Sequence, residues 1–287
     1  MPSLKDKNSN LVTKADIPPH LAFNKYIING YRAGYSVADC FQSLFRIHNE
    51  TVNIYTHGFM ALYLMFVLLQ WPGFRVQVWH FDNLLTIHCL ASLFPFVAST
   101  IYHLFLCHHH GSITYYRLLC FDMVGVWAVN TFGYIIAIIT TFQCFPNIQL
   151  LAVGIYLLLS LIALYYLVTA KTPMQRFVPL TFYAVSRPLI ILSRFFINLM
   201  DIHSHGLTYR YYILVDCVAL IGAVINVCKF PERLRPGSFD IYFNSHQIMH
   251  FCAMSSIIFL NEAVQLDVIF LSQTKCRDMT IANQLIY

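Results

Sequence analysis

The fold is decided by Phe230-Pro-Glu-Arg-Leu-Arg-Pro-Gly-Ser-Phe-Asp-Ile-Tyr-Phe-Asn-Ser-His-Gln-Ile-Met-His250, a polar loop that runs into a long apolar segment. Two prolines and a glycine within the loop prevent a continuous helix. A new helix therefore begins near the end of the loop, where Asn244 or Ser245 can serve as the N-cap. No charged side chain occurs from Ile248 to Leu260, which is typical of a membrane-buried helix.

Two histidines lie at the start of this helix. His246 and His250 are at positions i and i+4, so both imidazoles project from one face and can bind one divalent ion. A simpler interpretation is that the two side chains only line a helix face. The depth of the segment favours the metal, because polar side chains within a membrane need a partner.

The composition is that of a polytopic membrane protein. Of the 287 residues 58% are hydrophobic and 11% are charged, whereas a soluble domain has about 25% charged residues. No cluster of lysines and arginines and no stacked aromatic motif indicates nucleic-acid binding.

The nine cysteines include no C-x-x-C pair. Most lie in apolar runs, where we expect them to act as small apolar residues and not as a disulfide framework. These are Cys89, Cys120, Cys217, Cys228 and Cys252.

Seven apolar segments each have close to the ~20 residues that a helix needs to cross the hydrocarbon. The predicted spans are 52–70, 84–106, 118–141, 149–169, 178–199, 211–229 and 246–271. The fold class is therefore all-α, a seven-transmembrane helix bundle.

The segments outside the bundle are short. Residues 1–17 are polar and predicted to be a disordered cytosolic tail. Residues 18–49 form a juxtamembrane segment, in which 36–49 is predicted to be an amphipathic interfacial helix, with an ordinary surface helix as the alternative. The seven-transmembrane domain covers 50–272, and a short extracytosolic tail covers 273–287.

The orientation follows from the basic residues outside the spans. With a cytosolic amino terminus, the inner side holds twelve lysines and arginines and the outer side holds four. Because cytoplasmic loops are rich in lysine and arginine, we expect the amino terminus inside and the carboxyl terminus outside.

In this orientation, polar side chains from several spans lie at one depth. Glu50, Asn53 and His57 occur at spacings of three and four at the inner end of the first span, so they share a helix face. We interpret these three residues as shaping a cavity at the inner end of the bundle and supporting the metal ligands.

The second and third spans add further polar residues at this depth. Ser99 and His103 are four residues apart at the inner end of the second span, and Asp122 lies one turn inside the third. Together with the histidines of the seventh span, they predict a polar cluster near the cytosolic boundary.

The residue types suit a zinc centre. Imidazoles from His103, His246 and His250 supply three nitrogen ligands and leave a fourth position for water, which is typical of catalytic zinc. Asp122 can orient the water or take its proton, and Ser99 can hold a ligand or the developing oxyanion. The alternative is a hydrogen-bond network without metal.

The other polar residues of the spans have simpler interpretations. Arg187 and Arg194 in the fifth span and Asp216 and Asn226 in the sixth can pair inside the bundle or contact a lipid headgroup, with pairing favoured.

Histidines outside the spans are expected in solvent. His108, His109 and His110 are consecutive, so their imidazoles are expected to point in different directions from a solvated loop. His203 and His205 are likewise expected at the surface.

These residues occur in motifs that resemble those of the progestin and adiponectin-receptor (PAQR) family, related to the haemolysin III proteins and alkaline ceramidases. The matching motifs are Ser43-Leu-Phe-Arg-Ile-His-Asn-Glu-Thr-Val-Asn-Ile-Tyr-Thr-His57, Ser99-Thr-Ile-Tyr-His103, Asp122, Pro231-Glu-Arg, Pro236-Gly, Phe239-Asp and Ser245-His-Gln-Ile-Met-His250. The resemblance covers about residues 18–270.

The resemblance implies a seven-helix bundle with a cytosolic amino terminus, in the Golgi or plasma membrane. It implies Zn²⁺ held by His103, His246 and His250, with Asp122 reaching the metal through water. The implied reaction is hydrolysis of the ceramide amide to sphingosine and a fatty acid.

Two other classes of function remain open. One is a receptor or scaffold with a structural zinc, which controls ceramide levels through partner proteins of sphingolipid metabolism. The other is a receptor for a steroid or peptide hormone.

Overall fold

A computed structural model describes residues 11–70, 82–170, 172–199, 208–273 and 276. Within these ranges the chain is helical and contains no strand beyond two isolated bridges. The helices are α1 (Val37–Ser43), α2 (Thr51–Gln70), α3 (Asp82–Phe105), α4 (Ser112–Thr141), α5 (Pro146–Thr169), α6 (Pro173–Leu199), α7 (Thr208–Cys228) and α8 (Ser245–Gln273).

The helices α2 to α8 confirm the predicted helical segments, since each predicted span coincides with most of one long helix. Among the described residues, six of these seven helices are long and apolar enough to cross a membrane. The other, α6, contains Arg187, Arg194 and two internal prolines. The protein is therefore an all-α, multi-pass integral membrane protein.

The chain divides into two compact units. The first contains Met1–Leu69, Leu93–Gly125 and Cys217–Ser255. The second contains Gln70–Ser92, Val126–Asp216 and Ser256–Tyr287. The first unit has a core that joins the juxtamembrane segment to α2, α3 and α4, made by Leu21, Cys40, Ile54, Tyr102, Leu104, Leu106, Cys107 and Tyr115.

Ordered structure begins closer to the amino terminus than predicted. Residues 1–10 lie outside the described ranges, but residues 11–17, also predicted to be disordered, are held by backbone hydrogen bonds. Val12 N–H donates to the Tyr31 carbonyl at 2.9 Å, and Lys14 N–H donates to the Ile28 carbonyl at 2.8 Å. These bonds to a later segment offset part of the entropy of ordering, and a polar composition alone does not reveal them.

The predicted juxtamembrane helix is shorter than 36–49. It is α1, and Ser36 caps it in a capping box with Asp39, whose backbone N–H donates to Ser36 Oγ at 3.2 Å. The chain leaves the helix after Ser43 because the next N–H groups bond to carbonyls three residues back. Asn49 N–H then donates to the Gly30 carbonyl at 2.9 Å, which fixes the start of α2.

The helix start predicted at the Pro-rich loop is confirmed. The Asn244 side chain caps α8, since its Oδ1 accepts from Gln247 N–H at 3.1 Å. The Glu232 carboxylate accepts from Ser245 N–H at 2.8 Å and also from the Ser245 hydroxyl. The loop therefore supplies both a cap and a negative charge at the end of the helix that carries His246 and His250.

One pair of cysteines outside the apolar runs forms a disulfide that the sequence analysis did not predict. Cys144, after α4, and Cys276, after α8, are joined by a disulfide within the second unit. The pairing could not be deduced from the sequence because the two residues are 132 positions apart. The five cysteines in apolar runs are not part of a disulfide.

A buried ion pair joins α6 and α8 in the second unit. The Arg194 guanidinium donates to both oxygens of Asp267, at 2.8 and 2.9 Å. It also donates to Thr141 Oγ1, and the Tyr212 hydroxyl donates to Asp267. The expected internal pairing of Arg194 is thus confirmed, although its partner Asp267 was not identified.

A second pair in the same unit joins α6 and α7. Arg187 donates to Asp216 Oδ1 at 2.9 Å and also contacts the Asn130 side chain. The Tyr134 hydroxyl donates to the same carboxylate oxygen at 3.0 Å. The predicted pairing of Arg187 and Asp216 is confirmed, while Asn226 accepts a hydrogen bond from Lys229.

The Asp267→Asn substitution is expected to destabilise the protein more than Asp216→Asn. Arg194 and Asp267 have side chains that are only 1% and 0% exposed, so breaking the pair leaves a buried charge and costs about 3–5 kcal/mol. We expect an apparent melting temperature in detergent roughly 10 °C lower. The Asp216 side chain is 25% exposed, so Asp216→Asn should lower the melting temperature less. Equal melting temperatures for the two variants would contradict this ranking.

Candidate metal centre

Three histidines from two helices of the first unit converge. His103 lies in the last turn of α3, and His246 and His250 lie in the first turns of α8. One ring nitrogen of each lies within 4.8 Å of those of the other two. The Nε2 atoms of His103 and His246 are 3.4 Å apart, close to the roughly 3.3 Å between two nitrogens bound to one tetrahedral zinc.

The carboxylate of Glu50 orients His103. Glu50 Oε2 lies 2.8 Å from His103 Nδ1 and also accepts from Asn53 Nδ2 at 2.6 Å. An ionised carboxylate can only accept, so His103 donates from Nδ1 and its Nε2 lone pair faces the other imidazoles. Burial alone raises the pKa of Glu50, but the hydrogen bonds from His103 and Asn53 outweigh it and hold the pKa below its usual value.

The hydroxyl of Thr56 orients His250 in the same way. Thr56 donates its single proton to the Val52 carbonyl at 2.7 Å, and its oxygen lies 3.1 Å from His250 Nδ1. The oxygen therefore accepts from Nδ1–H, which leaves Nε2 of His250 available. His103 and His250 thus both keep Nε2 unprotonated and able to bind a metal.

His57 lies flat against this cluster. Its ring stacks on His250, with centroids 3.7 Å apart and an interplanar angle of 15°. Within the described part of the chain, neither of its buried ring nitrogens has a hydrogen-bond partner. Three convergent imidazoles, two of them with a fixed tautomer, beside orphaned buried nitrogens fit a Zn²⁺ ion.

Asp122 reaches this region from α4. Its side chain is buried, and the carboxyl is close enough to His103 for the two groups to interact electrostatically. Gly125 permits the close approach of α4 to α3, because a Cβ there would lie 2.7 Å from Pro95 Cα. A larger residue one turn after Asp122 would therefore push the carboxyl away from the cluster.

Ser99 is buried one turn before His103 on α3. Among the described residues it makes no hydrogen bond to the three imidazoles. Ser99 is thus a buried residue one helical turn from a candidate ligand. Its role toward a ligand or an oxyanion stays a prediction.

Sequence reasoning missed two groups that support the centre from the juxtamembrane segment. Arg32 donates to the carbonyls of His103 and Leu104 at 2.7 and 3.1 Å, which anchors the end of α3. His48 accepts from Glu50 N–H at 3.1 Å. Burial and the charge of Arg32 lower the pKa of His48 to about 3, so its ring is neutral and can accept. Neither residue has a spacing that signals this role.

A small pocket with both apolar and polar side chains in its lining adjoins His246 on the side of the juxtamembrane segment. Its polar lining comes from several elements of the first unit: Asn24, Asn49, Glu50, Asn53, Asn244 and His246. The Asn53 Oδ1 atom is buried and lacks a partner among the described residues. The pocket therefore offers amide groups to a polar molecule next to the candidate centre.

The consecutive histidines in the turn after α3 were expected to point in different directions, and the structure shows otherwise. One ring nitrogen from each of His108, His109 and His110 lies within 4.8 Å of the other two. The prediction assumed a regular backbone, and the backbone of this turn is not regular. His203 and His205, predicted at the surface, lie outside the described residues.

The fold and this cluster define a multi-pass helical membrane protein with a buried histidine centre at one end of α3 and α8. A family model described as haemolysin-III related matches residues 45–260. The chain belongs to this family, which confirms the resemblance found in its motifs.

Relatives that match over most of their length agree with this assignment. The chain is 38% identical to human progestin and adipoQ receptor family member 4, covering 93% of this chain and 96% of that protein. It is 30% identical to heptahelical transmembrane protein 1 of Arabidopsis thaliana, over 85% and 77% of the two chains. It is 29% identical to mouse membrane progestin receptor delta, over 87% and 77%.

The Glu50→Gln substitution is expected to weaken zinc binding by about 10–100-fold, because loss of a charged partner of a ligand costs that much. Glutamine keeps the size of the side chain but removes the charge that holds Nδ1–H of His103. Competition between purified protein and a chelator measures the affinity. Glu262→Gln, an exposed glutamate of α8, is the matched control and should not change it. Equal affinities for both variants would show that Glu50 does not orient the ligand.

Proposed function

We propose that this protein is a zinc-dependent intramembrane hydrolase that cleaves the amide bond of ceramide. The observation that carries the proposal is the set of three convergent imidazoles in a unit that also contains the buried carboxyl of Asp122. Among the described residues the group has three ligands, and a catalytic zinc site likewise keeps one position open for water or substrate.

Each residue of the centre has a distinct role in this proposal. His103, His246 and His250 would hold Zn²⁺, which when bound supplies Lewis-acid activation of water and of the amide carbonyl near neutral pH. Glu50 and Thr56 keep two of the imidazoles in the tautomer that can bind a metal. Asn53 in turn donates to Glu50 and fixes its carboxylate.

Asp122 is the proposed proton carrier. Water adds to the carbonyl carbon and the C–N bond breaks, so one proton must move from the water to the leaving nitrogen. A buried carboxyl beside His103 can accept that proton and deliver it, giving a free fatty acid and the amine of sphingosine. Ser99 would support the oxyanion or a ligand from the preceding turn of α3.

Two arguments support ceramide as the substrate class: the resemblance to the PAQR proteins and the amphipathic structure of ceramide. Ceramide places its amide between two long apolar chains and a polar head, so a helical protein in the bilayer can receive the chains from the membrane.

The disulfide supports the proposed orientation. With the amino terminus in the cytosol, α4 and α8 both end on the extracytosolic side, where Cys144 and Cys276 lie. Disulfides persist in oxidising compartments and are rare in the cytosol. The Golgi and the plasma membrane both have such a side, and we propose one of them as the location.

A receptor or scaffold with a structural zinc is the second candidate. It is favoured by the names of two relatives, a progestin and adipoQ receptor family member and a membrane progestin receptor. In that case the centre would stabilise the fold, and changes in ceramide would depend on partner proteins.

Purified protein in detergent with defined ceramides separates the two functions. The hydrolase releases sphingosine and fatty acid in equal amounts, and the release falls when the metal is removed by a chelator and returns with added Zn²⁺. A folded, zinc-loaded protein that releases neither product would contradict the proposed function.

A further inference from the structure

The turn between α3 and α4 contains a second group of metal-binding side chains. His108, His109 and His110 have ring centroids 4.2–4.6 Å apart and one ring nitrogen each within 4.8 Å of the others. His109 and His110 are exposed. Like the buried centre, this turn belongs to the first unit, but none of its histidines contributes to that centre.

The backbone of the turn explains why three consecutive imidazoles converge. His108 N–H donates to the Phe105 carbonyl and Gly111 N–H donates to the His108 carbonyl, both at 3.0 Å. Gly111 has a φ of +68°, a conformation that favours glycine and closes the turn. The chain therefore doubles back within four residues, and the three side chains project from one small loop.

The segment before α1 holds this turn in place. Tyr35 N–H donates to the Cys107 carbonyl at 3.1 Å, and His109 N–H donates to the Tyr35 carbonyl at 2.9 Å. His109 Nδ1 is also 3.3 Å from that carbonyl oxygen. A carbonyl can only accept, so Nδ1 carries the proton and Nε2 of His109 is free to bind a metal.

We propose that His108, His109 and His110 form a second, solvent-accessible site for a divalent transition-metal ion such as Zn²⁺, Cu²⁺ or Ni²⁺. Three imidazoles without a carboxylate select these ions over Mg²⁺ and Ca²⁺, which prefer oxygen ligands. Water would fill the coordination positions that the histidines leave open. We therefore expect the bound ion to exchange quickly with chelators in solution. Cu²⁺ should bind more tightly than Zn²⁺.

The proposal is tested by titrating Cu²⁺ into the purified full-length protein after its resident metal has been measured. We expect one further Cu²⁺ per chain, with an electron paramagnetic resonance spectrum that shows nitrogen ligands, and complete removal by a brief wash with a chelator. The His109→Ala/His110→Ala variant should lose this uptake, or bind at least tenfold more weakly, and should keep its resident metal.

The control variant is His20→Ala, which removes one histidine elsewhere in the juxtamembrane segment and should take up Cu²⁺ like the unaltered protein. If the double variant does not fold, His109→Gln alone replaces it, because it removes one ligand from an exposed position. Equal uptake by the variants and the unaltered protein, or no uptake by any of them, would overturn the proposal. These readouts do not depend on ceramide hydrolysis.

Discussion

Replacing His246 by alanine is expected to remove the proposed zinc and abolish the proposed amide hydrolysis while the protein stays folded. His246 is the best ligand to replace, since its side chain is part-exposed and His103 and His250 are fully buried. Loss of a ligand should weaken zinc binding by more than the roughly 10–100-fold that follows loss of a ligand's hydrogen-bond partner. Metal analysis of the purified variant measures the effect.

The folding of the variant decides between catalytic and structural zinc. If His246→Ala is monomeric and melts within a few degrees of the unaltered protein, the zinc is not needed for the fold. If the variant both loses its metal and unfolds, the centre is at least partly structural, as in proteins whose folding depends on their metal. His20→Ala is the matched control, and it should retain both zinc and hydrolysis.

The Asp122→Asn variant is expected to keep its zinc and lose most of its turnover. Asparagine has the shape of aspartate but cannot accept and deliver a proton, and this function contributes about 10²–10⁴-fold to rate. The structure gives Asp122 no position among the three metal ligands. We therefore expect normal metal content with at least hundredfold slower release of sphingosine.

Asp216→Asn is the matched control for this change. It alters a carboxylate of the second unit that is paired with Arg187, and hydrolysis should remain close to that of the unaltered protein. If Asp122→Asn hydrolyses ceramide at the normal rate, proton transfer does not pass through this carboxyl. If it loses zinc as well as activity, Asp122 acts on the metal centre itself.

The fold could be predicted from the sequence because bilayer thickness limits the length of every span. All seven predicted spans coincide with long helices, and the cap at Asn244 follows from a polar residue after a proline-broken loop. The predicted end of α1 was wrong because the chain leaves the helix after Ser43. The path that it then takes is fixed by the bond between Asn49 N–H and the Gly30 carbonyl, which joins distant residues.

The candidate centre could be predicted in part. Helical spacing places His246 and His250 on one face, and the inner ends of two spans place His103 at the same depth. The role of Thr56 toward His250 was missed, since a threonine in an apolar helix usually bonds to its own backbone. Pairings between distant residues, such as Arg194 with Asp267 and Cys144 with Cys276, leave no local signal.

The claim that three imidazoles bind one zinc is tested most directly by X-ray absorption at the zinc edge. The sample is purified His109→Ala/His110→Ala protein, in which the exposed histidine site is removed. We predict about one zinc per chain with nitrogen and oxygen ligands at about 2.0–2.2 Å and spectral features of several imidazoles. A preparation without zinc, or a zinc with sulfur ligands at about 2.3 Å, would contradict the account.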